Sequence, residues 1–226
     1  MIYQITLVFF FFLSISLGSQ PIFNVKPIPG KINSSNQEFG PSLSKDGTEL
    51  FFYSKRDGSN YTDLYKSNLI KGNWSSPIIL QNLNSPYDDQ SPFLVEENNQ
   101  RTIFFSSNRD GSIEFNLANG KLGVSRDIYY SDFLNNRWSK PLPLPSPINT
   151  EEIEENPHLF GNTLFFTRYP FGEVAKAKIY SSTFNGKEWS DPEPLPFPIN
   201  DNSSNIAAII SSNGEEILFS SNRPQG

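Results

Sequence analysis

Four segments of the chain resemble one another and recur in one order. Leu50–Gly58 reads LFFYSKRDG, Ile103–Gly111 reads IFFSSNRDG, Leu164–Gly172 reads LFFTRYPFG, and Ile217–Gly226 reads ILFSSNRPQG. The first three are followed by Asp63-Leu64-Tyr65, Asp127-Ile128-Tyr129 and Lys178-Ile179-Tyr180, then by Trp74-Ser75, Trp138-Ser139 and Trp189-Ser190, each with a proline two residues after the serine. A further series, Ile32-Asn33, Leu83-Asn84, Ile148-Asn149 and Ile199-Asn200, closes each unit. Phe52, Phe105, Phe166 and Phe219 are spaced by 53, 61 and 53 residues. The base period is therefore a little over 50, with an insertion between Gly111 and Asp127. Self-similarity at such a period is the signature of a repeat architecture, in which each unit is one supersecondary element that needs its neighbours for a core.

Each unit holds four short segments rich in Phe, Tyr, Ile, Leu and Trp, punctuated by Asp-Gly, Asn-Gly and Pro, with no helical period. Lys45-Asp46-Gly47 and Ser212-Asn213-Gly214 read as tight turns between strands. In the LFF segments adjacent residues are both apolar, so those strands are covered on both faces. One face of a two-sheet sandwich would be wet and would impose alternation. Small four-stranded antiparallel sheets stacked face to face around an axis give the required environment, and the expected fold is an all-β propeller of such blades. The expected layout is an outer strand at 21–32, units at about 38–90, 91–155 and 156–205, and a partial unit at 206–226. About 3.5 blades are then present. This is either a small four-bladed ring or, the preferred expectation, an open arc whose last unit stops after its second strand and whose unpaired edge favours association.

The first 25 residues carry no charged side chain, and Ile5–Leu17 form a weakly polar to apolar run. Thirteen residues are too few to cross about 30 Å of hydrocarbon. They suit the h-region of a secretory signal, with Ser16 and Gly18 as the small residues of a cleavage site. Residues 1–19 are expected to be an export signal, although no Lys or Arg precedes the run; a retained anchor is the alternative. Beyond it, no stable transmembrane span is expected, and the chain is placed in the periplasm or outside the cell. A net charge of −6 and a pI near 4.9 without a basic cluster exclude nucleic acid as the partner. With no cysteine there is no thiolate metal site or catalytic thiol, and a single histidine leaves little for imidazole chemistry.

Residues recurring in every unit read as architecture. Trp74, Trp138 and Trp189 are expected to cap the outer strand or wedge between units, the alternative being a sugar platform. Arg56, Arg109 and Arg223 share one turn position and are expected to bond carbonyls or acidic side chains. The third unit has Pro170 there, which weakens an anion-binding ring. Residues that break the repeat carry the binding expectations. Ser112–Arg126 should project from the scaffold as a loop, where binding residues concentrate, with Phe115 and Leu117 as candidate contacts. His158 falls on an innermost strand at the position matched to Ser42, Phe93 and Ala208, and could line a central channel. The acidic run Glu151, Glu152, Glu154 and Glu155 lacks the spacing of a calcium loop and reads as a solvated turn. No metal, cofactor or catalytic residue is assigned.

The stretch Pro41-Ser42-Leu43-Ser44-Lys45-Asp46-Gly47 followed by Leu50–Ser54 resembles the WD-like repeat of TolB-type propellers. The Asn/Asp-Arg-x-Gly turn, the Asp-Leu/Ile-Tyr strand and the Trp-Ser-x-Pro strand are similar to the cell-envelope branch of that family. The resemblance runs over roughly 38–226. It implies an exported, non-enzymatic scaffold that binds an envelope or secreted protein, and possibly a glycan. Members of this repeat class also form the lids of serine peptidases, but no G-x-S-x-G nucleophile elbow occurs here. The alternative is a carboxylate-based hydrolase or lyase acting on envelope polysaccharide, which needs two carboxyls across one cleft. Asp88, Asp89 and Glu154 would be its candidates, although all come from equivalent turns between units.

Overall fold

The computed structural model describes residues 26–56, 58–117 and 119–224. The expected export signal and the start of the expected leading strand lie outside the described residues. The described chain is all-β, with one short 3-10 turn at Val174–Lys176 and no α-helix. No helix among the described residues is long and apolar enough to cross a membrane.

Four antiparallel sheets follow one another along the chain. The first contains β1 (Glu38–Leu43), β2 (Glu49–Ser54), β3 (Asp63–Ile70) and two outer pieces, β4 (Asn73–Trp74) and β5 (Ile78–Ile79). The second contains β6 (Asp89–Glu97), β7 (Gln100–Ser107), β10 (Asp127–Leu134) and the outer pieces β11 (Arg137–Trp138) and β12 (Leu142–Pro143). Between β7 and β10 stands a separate hairpin of β8 (Glu114–Asn116) and β9 (Leu122–Val124). The third has β13 (Ile153–Phe160), β14 (Thr163–Tyr169), β15 (Lys178–Thr183) and β16 (Glu193–Pro194), and the fourth pairs β17 (Asn205–Ile210) with β18 (Ile217–Ser221). The expected unit edges near 90, 155 and 205 fall within the first strands of sheets or at their start. No closed ring of sheets is present among the described residues.

The outer strand breaks in two because the proline of each Trp-Ser-x-Pro run has no N–H for the ladder. Just before the break the serine of that run supplies an acceptor to the neighbouring strand: Ser75, Ser139 and Ser190 Oγ accept the N–H groups of Asn68, Asp132 and Thr183 at 3.1 Å. The Ile/Leu-Asn series has an equally local cause. Asn84, Asn149 and Asn200 bond both the N–H and the C=O of Leu64, Ile128 and Ile179, standing in for a strand partner. Residues 26–32 form no strand, contrary to expectation. Pro27 and Pro29 remove two donors there, and the segment contributes instead through Ile32, buried against Leu50, Phe52 and Tyr65.

The double-sided burial expected of the LFF strands is observed. Phe51 packs with Leu64, Leu83, Ile103, Phe105, Tyr129 and Trp138 between the first two sheets, while its neighbour Phe52 faces Ile32 on the other side. Likewise Phe105 joins the first junction and Phe104 the second, with Ile128, Ile148, Leu164 and Phe166. Trp138 wedges between sheets, edge-on to Phe51 and Phe133, whereas Trp74 and Trp189 are half-buried caps, Trp74 on the cluster of Ile32, Leu50, Phe52 and Tyr65 and Trp189 on Phe184.

Candidate functional site

The first strand of every sheet carries one β-bulge, at Gly40, Ser91, Asn156 and Ala207, all with φ between 53° and 57°. The bulge bends the strand and turns the residues after it toward a shared groove of about 240 Å³. All four inner strands line it, through Gly40–Leu43, Ser91–Phe93, Asn156–His158 and Ala207–Ile209. Pairing registers Ser42 with Phe51, Phe93 with Phe104, His158 with Phe165 and Ile209 with Leu218. The position equivalent to His158 in the last sheet is therefore Ile209 rather than Ala208, which stands where the other three strands have Pro41, Pro92 and Pro157.

His158 does line this groove, and it also joins two sheets. Its Nε2 accepts the Ile210 N–H at 3.2 Å, as Ser42 Oγ accepts the Leu94 N–H at 3.0 Å between the first and second sheets. The Phe93 ring lies 4.2 Å from it, centroid to centroid. Burial outweighs that hydrogen bond and pulls the imidazole pKa down to about 4, so the ring is neutral near pH 7.

The turn arginines form one pin repeated four times. Arg56 bonds the Ile32 carbonyl at 2.7 Å and Glu38 at 2.6 Å, with its guanidinium over Phe52 and Tyr65. Arg109 bonds the Leu83 carbonyl and Asp89 over Phe105 and Tyr129, and Arg223 bonds the Ile199 carbonyl and Asn205 over Phe219. The third sheet has a pin after all. Arg168 bonds the Pro147 and Ile148 carbonyls and Glu154, over Phe166 and Tyr180. It stands two residues after Phe166 where the others stand four after theirs; an even offset keeps the same side of a strand. These arginines are spent within the fold, as are Asp89 and Glu154, whose side chains are fully buried. Asp88 accepts the Thr62 N–H and hydroxyl, both at 2.9 Å. In the acidic run, Glu155 pairs with Arg126 at 3.0 Å. No group of His, Asp and Glu suited to a metal ion occurs among the described residues.

The insertion forms the β8–β9 hairpin. Its base is tied by Ile113 and Ser125: the Ile113 N–H donates to Ser125 Oγ and the Ser125 N–H to the Ile113 carbonyl, both at 2.9 Å. Phe115 is half-buried: its ring covers Gly123, where a Cβ would come within 2.7 Å, and meets Phe171, in the turn after β14, edge-on at 5.5 Å. Leu117 is half-buried at the tip, where its backbone closes the turn with Gly120 and Lys121. The candidate pair thus partly folds back, and Leu122, 59% exposed, is the apolar side chain the hairpin presents. The connections after the second and fourth strands emerge on this same side. There the Tyr61 ring lies 6.3 Å from that of Tyr87, tilted by 49°, and the Tyr87 hydroxyl donates to Asp110 at 2.7 Å. Between the hairpin and the 170–174 turn lies a second cavity of about 260 Å³, with Arg126, Tyr169 and Phe171 in its wall.

No protein-family model matches the sequence, and no curated protein does. Solved structures that resemble the fold include TolB from Acinetobacter baumannii, at 16% identity and TM-score 0.52, over 86% of this chain and 40% of that one. Alpha-L-arabinofuranosidase from Lactobacillus brevis matches at 14% identity and TM-score 0.50, over 72% and 55%. A protein of unknown function from Dyadobacter fermentans matches at 17% and 0.51, over 80% and 61%. The chain thus spans only part of each. At these identities the likeness is one of fold, the β-propeller, and it assigns no activity.

Proposed function

We propose that the chain is an exported, non-enzymatic β-propeller scaffold of about 3.5 four-stranded blades that holds a protein or glycan partner in the cell envelope. One observation carries the reading. Features that break the repeat, namely the β8–β9 hairpin, the Phe171 turn and the Tyr61–Tyr87 pair, gather on one side of a scaffold whose repeated polar groups are already used. Binding residues usually sit on such loops above a rigid frame. The alternative, a carboxylate-based hydrolase or lyase acting on polysaccharide, draws on no free pair of carboxyls among Asp88, Asp89 and Glu154.

The test excises 114–124 and joins Ile113 to Ser125 through Asn-Gly, leaving the tied hairpin base in place. The melting temperature is expected to stay within a few degrees of the parent. A partner captured from envelope extract by the parent is expected to be lost by the variant. An unchanged set of captured proteins and glycans removes the hairpin face from the function. Turnover of envelope polysaccharide by the parent, abolished by Asp88→Asn, would replace binding with catalysis.

A further inference from the structure

The groove between the inner strands holds polar groups that the fold leaves open, two of them side by side on β13 and a third, the Ser42 hydroxyl proton, across the groove on β1. Because His158 Nε2 accepts a backbone N–H, the neutral ring must carry its proton on Nδ1. That Nδ1–H has no partner among the described residues, on a side chain that is only 7% exposed and lines the groove. Asn156, two residues earlier on the same bulge, donates from Nδ2 to Ser91 Oγ at 2.9 Å, while its Oδ1 is buried with no donor. A buried polar atom without a partner costs free energy that a ligand can recover. Around the pair stand Pro92, Pro157 and the half-buried Phe93, and no residue lining the groove carries a formal charge near neutral pH. On β13 a donor beside an acceptor, in an uncharged and largely apolar wall, matches a ligand with a carbonyl oxygen next to an N–H and a small methyl, and the Ser42 hydroxyl opposite can donate to a further ligand oxygen. At about 240 Å³ the groove falls below the usual range for drug-sized ligands, roughly 300–1,000 Å³.

We propose that this groove binds the acetamido group of an N-acetylated amino sugar. His158 Nδ1–H donates to the acetamido carbonyl, Asn156 Oδ1 accepts its N–H after a small turn about its broad terminal torsion, and the sugar lies against Phe93. The proposal rests on the glycan branch of the binding reading, and it uses the axial groove rather than the hairpin face.

His158 is the only histidine of the chain, so its ring nitrogens give an unambiguous NMR probe. The full chain, labelled with ¹⁵N, is titrated with N-acetylglucosamine, with glucose, and with N-acetyl-alanine methylamide. Saturable movement of the His158 Nδ1 and Asn156 amide signals with N-acetylglucosamine alone is expected. No movement, equal movement with glucose, or movement with the peptide amide but not the sugar overturns the proposal. Two variants copy solutions the fold already uses: His158→Ser reproduces the Ser42 junction, and Asn156→Gly reproduces the bulge at Gly40. Each is expected to weaken binding about tenfold by losing one hydrogen bond. Undiminished binding by either folded variant argues against its contact. The parent titration decides the proposal even if neither variant folds. Loss of partners on hairpin excision with no sugar response sinks this inference alone. A sugar response with an unchanged partner set sinks the hairpin reading alone.

Discussion

The junction between the first and second sheets and the junction between the third and fourth use one plan with different amounts of material. The first buries Phe51, Leu64, Leu83, Ile103, Phe105, Tyr129 and Trp138, several with no exposure. The last has Ile153, Tyr169 and Ala177 with half-buried Ile206 against them, and beyond it Ile209 and Leu218 are exposed. Both keep the inter-sheet hydrogen bond from the inner strand, to Ser42 in one and His158 in the other. The polar geometry of the repeat is thus retained where its apolar content thins. In a stack of units, stability is a sum of unit and junction terms, so it should fall from the first junction to the last.

The largest expected effect tests that gradient. Phe105→Ala removes a fully buried ring from the rich junction and should cost about 3–5 kcal/mol. Ile206→Ala removes a half-buried side chain from the poor one and should cost about 1 kcal/mol. Hydrogen exchange gives the independent measurement: amides of β17 and β18 should open at lower free energy than those of β2 and β3. Equal protection in both hairpins breaks the comparison.

The acidic partner of the pin separates early and late sheets in a second way. At Glu38 burial raises the pKa, but hydrogen bonds from the Ser34 hydroxyl and N–H, with Arg56, outweigh it and leave the carboxyl below its ordinary value. At Glu154, fully buried, burial wins over Thr150 and Arg168 and pushes it up to about 7. Asp127 is likewise pushed up to about 6 by burial, against its bond from Ser125. A raised carboxylate holds more protons folded than unfolded, so its contribution is full below the unfolded value near 4.5 and is lost as pH rises through about 7. Stability should therefore fall between about pH 4.5 and 7, by about 3 kcal/mol for Glu154. Glu154→Gln should flatten most of that slope in urea melts taken across the range. A slope unchanged by the substitution would mean that another group titrates.

What the sequence made legible follows from periodicity. Paired phenylalanines such as Phe51-Phe52 announced coverage on both faces, and the Trp-Ser-x-Pro and Ile/Leu-Asn series marked each unit's outer edge. Two features escaped for physical reasons. The inner-strand bulge needs a left-handed residue, but Gly40, Ser91, Asn156 and Ala207 share no side-chain type, so no single-letter signal marks it. The fourth strand also has Ala208 where the others have Pro41, Pro92 and Pro157, and without that proline the match of His158 fell on Ala208 instead of Ile209. The pin of the third sheet was masked by a two-residue displacement, since alignment by column compares Arg109 with Pro170. Counting by strand parity instead of by column would have found Arg168.

The pins sharpen the comparison at the smallest scale. Arg109 faces Asp89, a carboxylate with no exposure, whereas Arg223 faces the neutral amide of Asn205 and lies 3.5 Å from the partly exposed Asp201. Removing one partner of a buried ion pair leaves a charge with nothing to balance it, so Arg109→Met should cost about 3 kcal/mol. Arg223→Met abandons only an amide, carbonyls and an exposed carboxylate, and should cost about 1 kcal/mol. The double variant Arg109→Met with Asp89→Asn should recover part of the first loss, because the stranded charge goes with its partner. No recovery would assign the cost of Arg109 to its packing over Phe105 and Tyr129 instead of to its charge. The same double substitution in the third sheet, Arg168→Met with Glu154→Gln, should recover a smaller share, since a Glu154 carboxyl already drawn toward its neutral form leaves less charge stranded.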